Sequence, residues 1–176
     1  MTKLAVNIAG FYVGWFACVL GAAHGYGWLG AAVFAGLLAL HLALHRAWKA
    51  ELLLAAAVCG LGLALESALT AVGAYTPKRL VLPAPLADVW LIALWGNFAL
   101  LLNVALRGLQ ARLMLAALLG AVGGPAAFYS GERLGALTLS RPLAVSLLTL
   151  AIVWALAVPI LLRLAKAWRE RLAPRG

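Results

Sequence analysis

A single carboxyl group interrupts a long apolar run, because Glu66 lies within the stretch from about Leu52 to Ala74. An ionisable side chain in hydrocarbon costs at least ~2.5 kcal/mol on insertion scales, so its presence needs a reason. Glu66 is the candidate catalytic residue, since a carboxyl there can transfer a proton or bind a ligand. It can equally be a neutral acid that hydrogen-bonds a neighbouring helix, and both interpretations stay open. Thr70, one turn further along, shares its helix face.

A second set of polar side chains lies at a similar depth in three other apolar runs. Given the direction of each helix, Asn7, His41 and Asn103 fall near the same end. Such a layer can join helices, at ~0.6 kcal/mol per hydrogen bond on average, or it can line the inner end of a cavity. His41 and His45 share a face at four-residue spacing, but no zinc motif or neighbouring acid accompanies them. No metal site is predicted.

The fifth apolar run supplies the remaining candidates. Pro125, in Gly123-Gly124-Pro125, removes a helix hydrogen bond and strains the preceding turn. A broken helix in a membrane needs its freed carbonyls satisfied by protein or by cavity water, and such breaks often line binding sites. A simple proline kink without such a role is the alternative and the commoner case. The carbonyls before Pro125, the Tyr129 hydroxyl and Arg133 share the depth of Glu66. They are its expected partners and, with Asn7, His41, Thr70 and Asn103, the candidate binding residues.

The composition of the chain identifies the elements that must position these groups. Of 176 residues, 66% are hydrophobic, 18 are glycine and only 11% are charged. A soluble fold cannot cover itself with so little polar surface, and no loop is long enough for a soluble catalytic domain. The apolar stretches are about 17–23 residues long and lie at about 4–23, 28–44, 52–74, 89–106, 113–129 and 143–162. The prediction is one all-α domain over residues 1–176, a polytopic membrane protein with a six-transmembrane-helix bundle.

Basic residues are distributed unequally between the two predicted sides. Ten are on the side of both termini: Lys3, Arg46, Lys49, Arg107, Arg112, Arg163, Lys166, Arg169, Arg171 and Arg175. Four are on the other side: Lys78, Arg79, Arg133 and Arg141. The positive-inside rule therefore predicts that both termini are cytoplasmic. The basic tail from about 163 is expected to continue helix six and meet anionic lipid, with partner docking as the alternative. Because the basic residues flank apolar runs, no nucleic-acid partner is predicted.

Small residues at four-residue spacing predict close contacts between helices. Gly10, Gly14 and Cys18 form one row on the first helix, and Gly120 and Gly124 form another on the fifth. The first row is the surface where a membrane-protein partner is predicted, and membrane lipids are expected around the bundle. The sequence contains no nucleotide-binding motif, so no cofactor is predicted.

Several segments of the chain are similar to one known family. They are Asn7 followed by 15–23, the pair Glu66-Ser67, the pair Leu102-Asn103, and the block from 120 to 125 that continues through Tyr129 to 133–136. On these segments the chain resembles the small bacterial inner-membrane proteins called domain of unknown function 2878. The resemblance implies a bacterial inner membrane and, from gene neighbours, a link to fatty-acid modification or photo-oxidative stress. It supplies no activity and no catalytic residues, and Val104 stands where members often have a histidine.

Three functions are compatible with these residues. The first is an intramembrane site that binds or acts on a lipophilic molecule of the fatty acyl or isoprenoid type, based on Glu66, the Gly-Gly-Pro break and Tyr129. The second is a substrate-binding or transport subunit that needs a partner, because the substrate-binding subunits of vitamin uptake systems have a similar size and number of helices. The third is a structural or assembly protein in which the polar residues join helices. Whether the protein is an enzyme stays open.

Overall fold

The structure, a computed structural model, describes residues 2–45, 47–83, 86–140 and 142–172. The described residues form six α-helices: α1 Thr2–His24, α2 Trp28–Leu44, α3 Trp48–Ala71, α4 Val89–Ala99, α5 Leu113–Arg133 and α6 Leu143–Leu172. A short 3-10 helix covers Arg107–Ala111, and two strands, β1 Tyr75–Pro77 and β2 Leu137–Leu139, complete the fold. The all-helical class is as predicted. Arg46, Arg141 and Arg175, which were counted for the orientation, lie outside the described residues.

Four of these helices are long and apolar enough to cross a membrane, namely α1, α3, α5 and α6. The other two are shorter, with 17 residues in α2 and 11 in α4. Since a spanning helix needs about 20 apolar residues, the structure supports a membrane protein with four helices able to span the membrane. Crossing by α2 and α4 remains a prediction, as does the orientation.

The two small-residue rows lie in close helix contacts within the chain. On α5, a Cβ at Gly120 or Gly124 would overlap with Trp154 of α6, so the glycines let these helices touch. On α1, Gly14 lies against Asn97 of α4, and Cys18 lies against α2. Gly14 and Cys18 are buried. The α1 surface where a partner was predicted is therefore covered mainly by the chain's own α2 and α4.

The helix α4 ends earlier than its apolar run, which predicted a helix to Leu106. Residues 100–106 form tight turns in which amides bond three residues back, as Leu101 N does to Phe98 O at 3.0 Å. Helix α5, by contrast, runs without interruption through Pro125, so the predicted break is not there. The irregular backbone lies at the end of α4 instead, where neither proline nor glycine occurs between Asn97 and Leu106.

The loops at one end of the bundle are joined by a small antiparallel sheet. Tyr75 of β1 pairs with Leu139 of β2, and Pro77 pairs with Leu137. We call this end the sheet end. At the opposite end Lys3 Nζ donates to Leu44 O at 3.3 Å, so the start of α1 lies beside the end of α2. We call this second end the basic end, because it also holds the end of α6 with its arginines.

Candidate functional site

Glu66 lies inside the bundle, with 1% of its surface exposed. Tyr75 Oη donates a hydrogen bond to its Oε2 at 2.6 Å, and Trp95 Nε1 donates one to its Oε1 at 2.7 Å. Both donors are themselves buried. Interior placement agrees with the prediction from the sequence, because lipid offers a carboxyl group no partner. Each carboxyl oxygen accepts a hydrogen bond from a different aromatic side chain.

The partners that the sequence suggested for Glu66 lie elsewhere. Tyr129 is 44% exposed and faces outward, whereas its neighbour Phe128 faces the core. The expectation of Tyr129, Arg133 or a freed carbonyl before Pro125 was wrong because α5 is unbroken and turns Phe128 inward. Thr70 shares the face of Glu66, but its Oγ1 donates to the backbone carbonyls of Glu66 and Ser67, at 2.8 and 3.0 Å. This is the usual local bond of a helical threonine.

Trp95 reaches Glu66 because α3 carries a glycine one turn earlier. A Cβ at Gly62 would overlap with the Trp95 ring, so only glycine lets the indole lie against α3. Gly62 and Glu66 share a helix face at i, i+4 spacing, which brings the indole N–H to the carboxyl group. The Trp95 ring also stacks on Trp154, with ring centroids 4.7 Å apart and planes at 18°.

Tyr75 reaches Glu66 from the sheet. Its position in β1 is fixed by pairing with Leu139, and its ring packs on Phe128 with centroids 5.0 Å apart. Burial, followed by the negative charge of Glu66 and the hydrogen bond to it, raises the pKa of the Tyr75 hydroxyl. The hydroxyl therefore stays protonated and remains a donor. No pattern in the sequence pointed to this tyrosine, because the sheet that holds it forms between two distant loops.

A cavity of about 570 Å³ lies between α1 and α5, with α4 and α6 forming its floor. Within the described helices α1 and α5 make little or no contact with each other, and we call the space the α1–α5 cavity. Its walls are almost wholly apolar. They include Trp15 and Phe16 of α1, Phe98 of α4, Gly123 of α5 and Trp154 of α6.

Two tryptophans on the wall of the α1–α5 cavity have unsatisfied donors. In the described part of the chain, neither Trp90 Nε1 nor Trp154 Nε1 has a hydrogen-bond partner, although both atoms are buried. A buried donor without an acceptor costs roughly 1–3 kcal/mol. Trp95, which does not line the cavity, differs because Glu66 satisfies its N–H. Both N–H groups are enclosed by protein, so the wall that these two residues present to the cavity is their apolar ring surface.

The basic end contains a second buried carboxyl group, Glu51. His41 Nε2 lies 3.2 Å from Glu51 Oε2, and Asn103 Nδ2 donates to Glu51 Oε1 at 3.0 Å. Asn103 Oδ1 in turn accepts from Gln110 Nε2 and Arg169 Nη1, each at 3.0 Å. Two members of the predicted polar layer, His41 and Asn103, are thus joined through an acid that sequence reasoning missed. Glu51 stands just before the third apolar run, so it was not among the polar residues found inside the runs.

The third member of that layer, Asn7, stabilises the irregular backbone after α4. Its Nδ2 donates to Leu100 O at 2.9 Å, and its Oδ1 accepts from Ala105 N at 3.3 Å. Backbone groups that leave a helix inside a membrane need such partners. Among the described residues no three His, Cys, Asp or Glu side chains lie close enough to hold a metal ion. At the basic end the described contacts join helices, and the α1–α5 cavity is the larger space for a ligand.

Comparison with known proteins gives one match. A family model described as "Protein of unknown function (DUF2878)" matches residues 4–160. No curated protein and no solved structure matches the chain.

Proposed function

The chain belongs to the DUF2878 family of proteins of unknown function, and from its own geometry we propose that it binds the acyl chain of a membrane lipid or fatty acid in the α1–α5 cavity. The observation that supports this proposal is a large, apolar cavity lined by α1 and α5, two helices that make little or no contact with each other. The cavity separates this proposal from a purely structural role, for which a filled core would be expected.

The dimensions of the α1–α5 cavity fit a single acyl chain. Its volume of about 570 Å³ lies within the ~300–1,000 Å³ typical of small-molecule sites. The residues of α5 on its wall run from Leu119 to Gly131, which spans about 18 Å at ~1.5 Å per residue. One leaflet of a ~30 Å hydrocarbon core is about 15 Å thick, so an acyl chain covers a similar distance.

The side of the α1–α5 cavity provides an entry from the membrane. Tyr12 and Phe16 of α1 and Leu119 of α5 line it, and all three are exposed on the outside of the bundle. Exposed apolar side chains in a spanning helix face lipid. A lipid can therefore enter between α1 and α5 without crossing water. A hydrophilic cargo would need a polar route, and the apolar walls give transport of such a cargo no support.

The walls of the α1–α5 cavity suit the hydrocarbon part of a lipid. The described residues that line it include no charged side chain, so the acyl chain fits there and a charged headgroup would lie outside. With the basic asymmetry of the loops, the proposal places the protein in a bacterial inner membrane, both termini cytoplasmic, in the handling or modification of fatty acids.

A photoactivatable palmitate tests the proposal. The purified protein in detergent is irradiated with a diazirine-bearing palmitate, and the labelled peptides are identified by mass spectrometry. Gly123→Leu fills the α1–α5 cavity, because Gly123 lines it and a Cβ there meets nothing within 4 Å. Gly60→Leu is the matched control, since Gly60 is also an exposed helical glycine with open space but does not line the cavity.

We expect labelling of α1 and α5 in the unmodified protein and in Gly60→Leu, and at least fivefold less in Gly123→Leu. Both variants should unfold at a similar temperature, because each replaces a glycine in a helix without overlap. Labelling spread evenly over all exposed helices, or equal in both variants, would refute binding in the cavity.

A further inference from the structure

We propose that Glu66 is a positioning residue whose carboxylate fixes the aromatic wall of the α1–α5 cavity. The inference rests on the proposed function, since it assigns a role toward the same cavity. In this role Glu66 orients neighbouring side chains and does not transfer a proton. Glu66 would hold Trp95 and Tyr75, and these two would in turn hold Trp154 and Phe128, which line the cavity.

The first observation is that Glu66 lies one layer behind the cavity. Neither Glu66 nor either of its two donors lines the α1–α5 cavity, whereas Trp154 and Phe128 do. A ligand in the cavity would therefore touch the aromatic layer and not the carboxyl group. General acid or base catalysis requires hydrogen-bond reach to the reacting atom, directly or through one water. Because the aromatic side chains separate Glu66 from the cavity, its carboxyl group does not come within that distance of a ligand there.

The second observation is the stack on the α6 side. The Trp95 ring lies against Gly62 and stacks on Trp154, and neither of these contacts is directional within the plane of the ring. The bond from its Nε1 to Glu66, at 2.7 Å, supplies a directional restraint. Trp154 also contacts Phe98 edge to face, with centroids 5.5 Å apart. The position of the Trp154 ring thus depends on the position of Trp95.

The third observation is the equivalent contact on the sheet side. Tyr75 donates to the other oxygen of Glu66 at 2.6 Å, and its ring packs on Phe128. Leu137, which also lines the cavity, pairs with Pro77 in the same sheet. One carboxyl group therefore accepts bonds from both supports of the wall. Two acceptor atoms at a fixed separation suit this task, and a hydrophobic side chain at position 66 would leave two buried donors unpaired.

Glu66→Gln and Glu66→Leu distinguish positioning from acid–base chemistry. The Gln oxygen still accepts from Trp95, and its amide N–H can donate to the Tyr75 oxygen, whereas Leu does neither. Two measurements are made on each protein: labelling by the diazirine palmitate, and near-ultraviolet circular dichroism of the stacked indoles. We expect Glu66→Gln to keep both within twofold of the unmodified protein. We expect Glu66→Leu to lose at least fivefold in labelling together with the stacking signal.

Trp95→Phe covers the case in which Glu66→Leu does not fold, because Phe keeps a smaller aromatic ring at position 95 and removes the N–H that donates to Glu66. Its labelling should fall severalfold. Loss of labelling in Glu66→Gln with an intact stacking signal would overturn the proposal, as would a Glu66→Leu or Trp95→Phe protein that is labelled like the unmodified one. If the unmodified protein is not labelled, acyl binding fails, and the dichroism of Glu66→Leu compared with that of Glu66→Gln still decides whether Glu66 holds the aromatic stack.

Discussion

Trp95 and Trp154 stack with their ring centroids 4.7 Å apart and their planes 18° from parallel, although they belong to α4 and α6. A glycine lies against each ring of the pair, Gly62 of α3 against Trp95 and Gly124 of α5 against Trp154. Offset stacking of this kind contributes roughly 0.5–1.5 kcal/mol beyond the buried area. The stack connects the Glu66 side of the bundle to the wall of the α1–α5 cavity, and it depends on the two glycines.

Gly124→Ala should destabilise the protein, because the added Cβ overlaps with the Trp154 ring. Overpacking a filled contact costs typically 1–3 kcal/mol. The adjacent Gly123→Ala is the matched control. Its Cβ meets nothing within 4 Å, so replacing glycine in a helix should stabilise by up to about 1 kcal/mol. Thermal unfolding in detergent measures both. Equal unfolding temperatures would mean that α5 does not press against Trp154.

Tyr75→Phe should change how stability responds to alkaline pH. The raised pKa of the Tyr75 hydroxyl in the folded protein means that its contribution is fully present below about pH 10, the ordinary tyrosine pKa. As pH rises above that value, the unfolded chain loses the proton first, so the contribution is progressively lost. The difference in stability between the unmodified protein and Tyr75→Phe should therefore shrink between about pH 10 and 12.

Tyr129→Phe is the control for this pH series. Tyr129 is exposed and lies apart from Glu66, so its removal should leave the pH profile parallel to that of the unmodified protein. Chemical unfolding at several pH values supplies the comparison. A constant difference between the unmodified protein and Tyr75→Phe across the range would show that the hydroxyl is not held as a buried donor to Glu66.

Much of the fold follows from apolar periodicity and length, but the end of α4 does not. The helices α1, α2, α3, α5 and α6 lie where the apolar runs predicted them. The run continues past Ala99 without a breaker, and the chain nevertheless changes to tight turns there. Asn7, 93 residues away from Leu100, supplies the bond to the freed carbonyl. A local pattern cannot reveal a stabilising partner that only tertiary packing brings near.

In the candidate site, too, some features could be predicted from the sequence and others depend on tertiary packing. The burial of Glu66 was predictable, because a carboxyl group in an apolar run has no partner in lipid. Its partners were not predictable, since depth along a helix says nothing about rotation around it. Phe128 and Tyr129 have the same depth, yet only the first faces the core. Gly62, four residues before Glu66, was the available signal that a large ring packs there.

Reporter fusions test whether α2 and α4 cross the membrane. The contacts place Lys3, Leu44 and Arg169 at the basic end, and the sheet lies at the other end. Fusions after Leu109 and after Leu172 should therefore report cytoplasm, and a fusion at Lys78 should report the opposite side. If the fusion after Leu109 reports the same side as Lys78, then α4, with 11 residues, does not cross.

Removing Arg169 should weaken the basic end, because its Nη1 donates to Asn103 Oδ1 at 3.0 Å. Hydrogen bonds from charged donors contribute about 1.5–3 kcal/mol when buried. Arg169 is only partly buried and Asn103 Oδ1 also accepts from Gln110, so Arg169→Ala should cost about 0.5–1.5 kcal/mol. Truncation after Trp168 also removes Arg169. The bundle should still fold, and its free energy of unfolding should fall by at least as much as in Arg169→Ala. Arg171→Ala, at an exposed position on the same helix, should stay within about 0.5 kcal/mol. Unfolding curves that coincide for Arg169→Ala and Arg171→Ala would show that the end of α6 is an unattached basic tail.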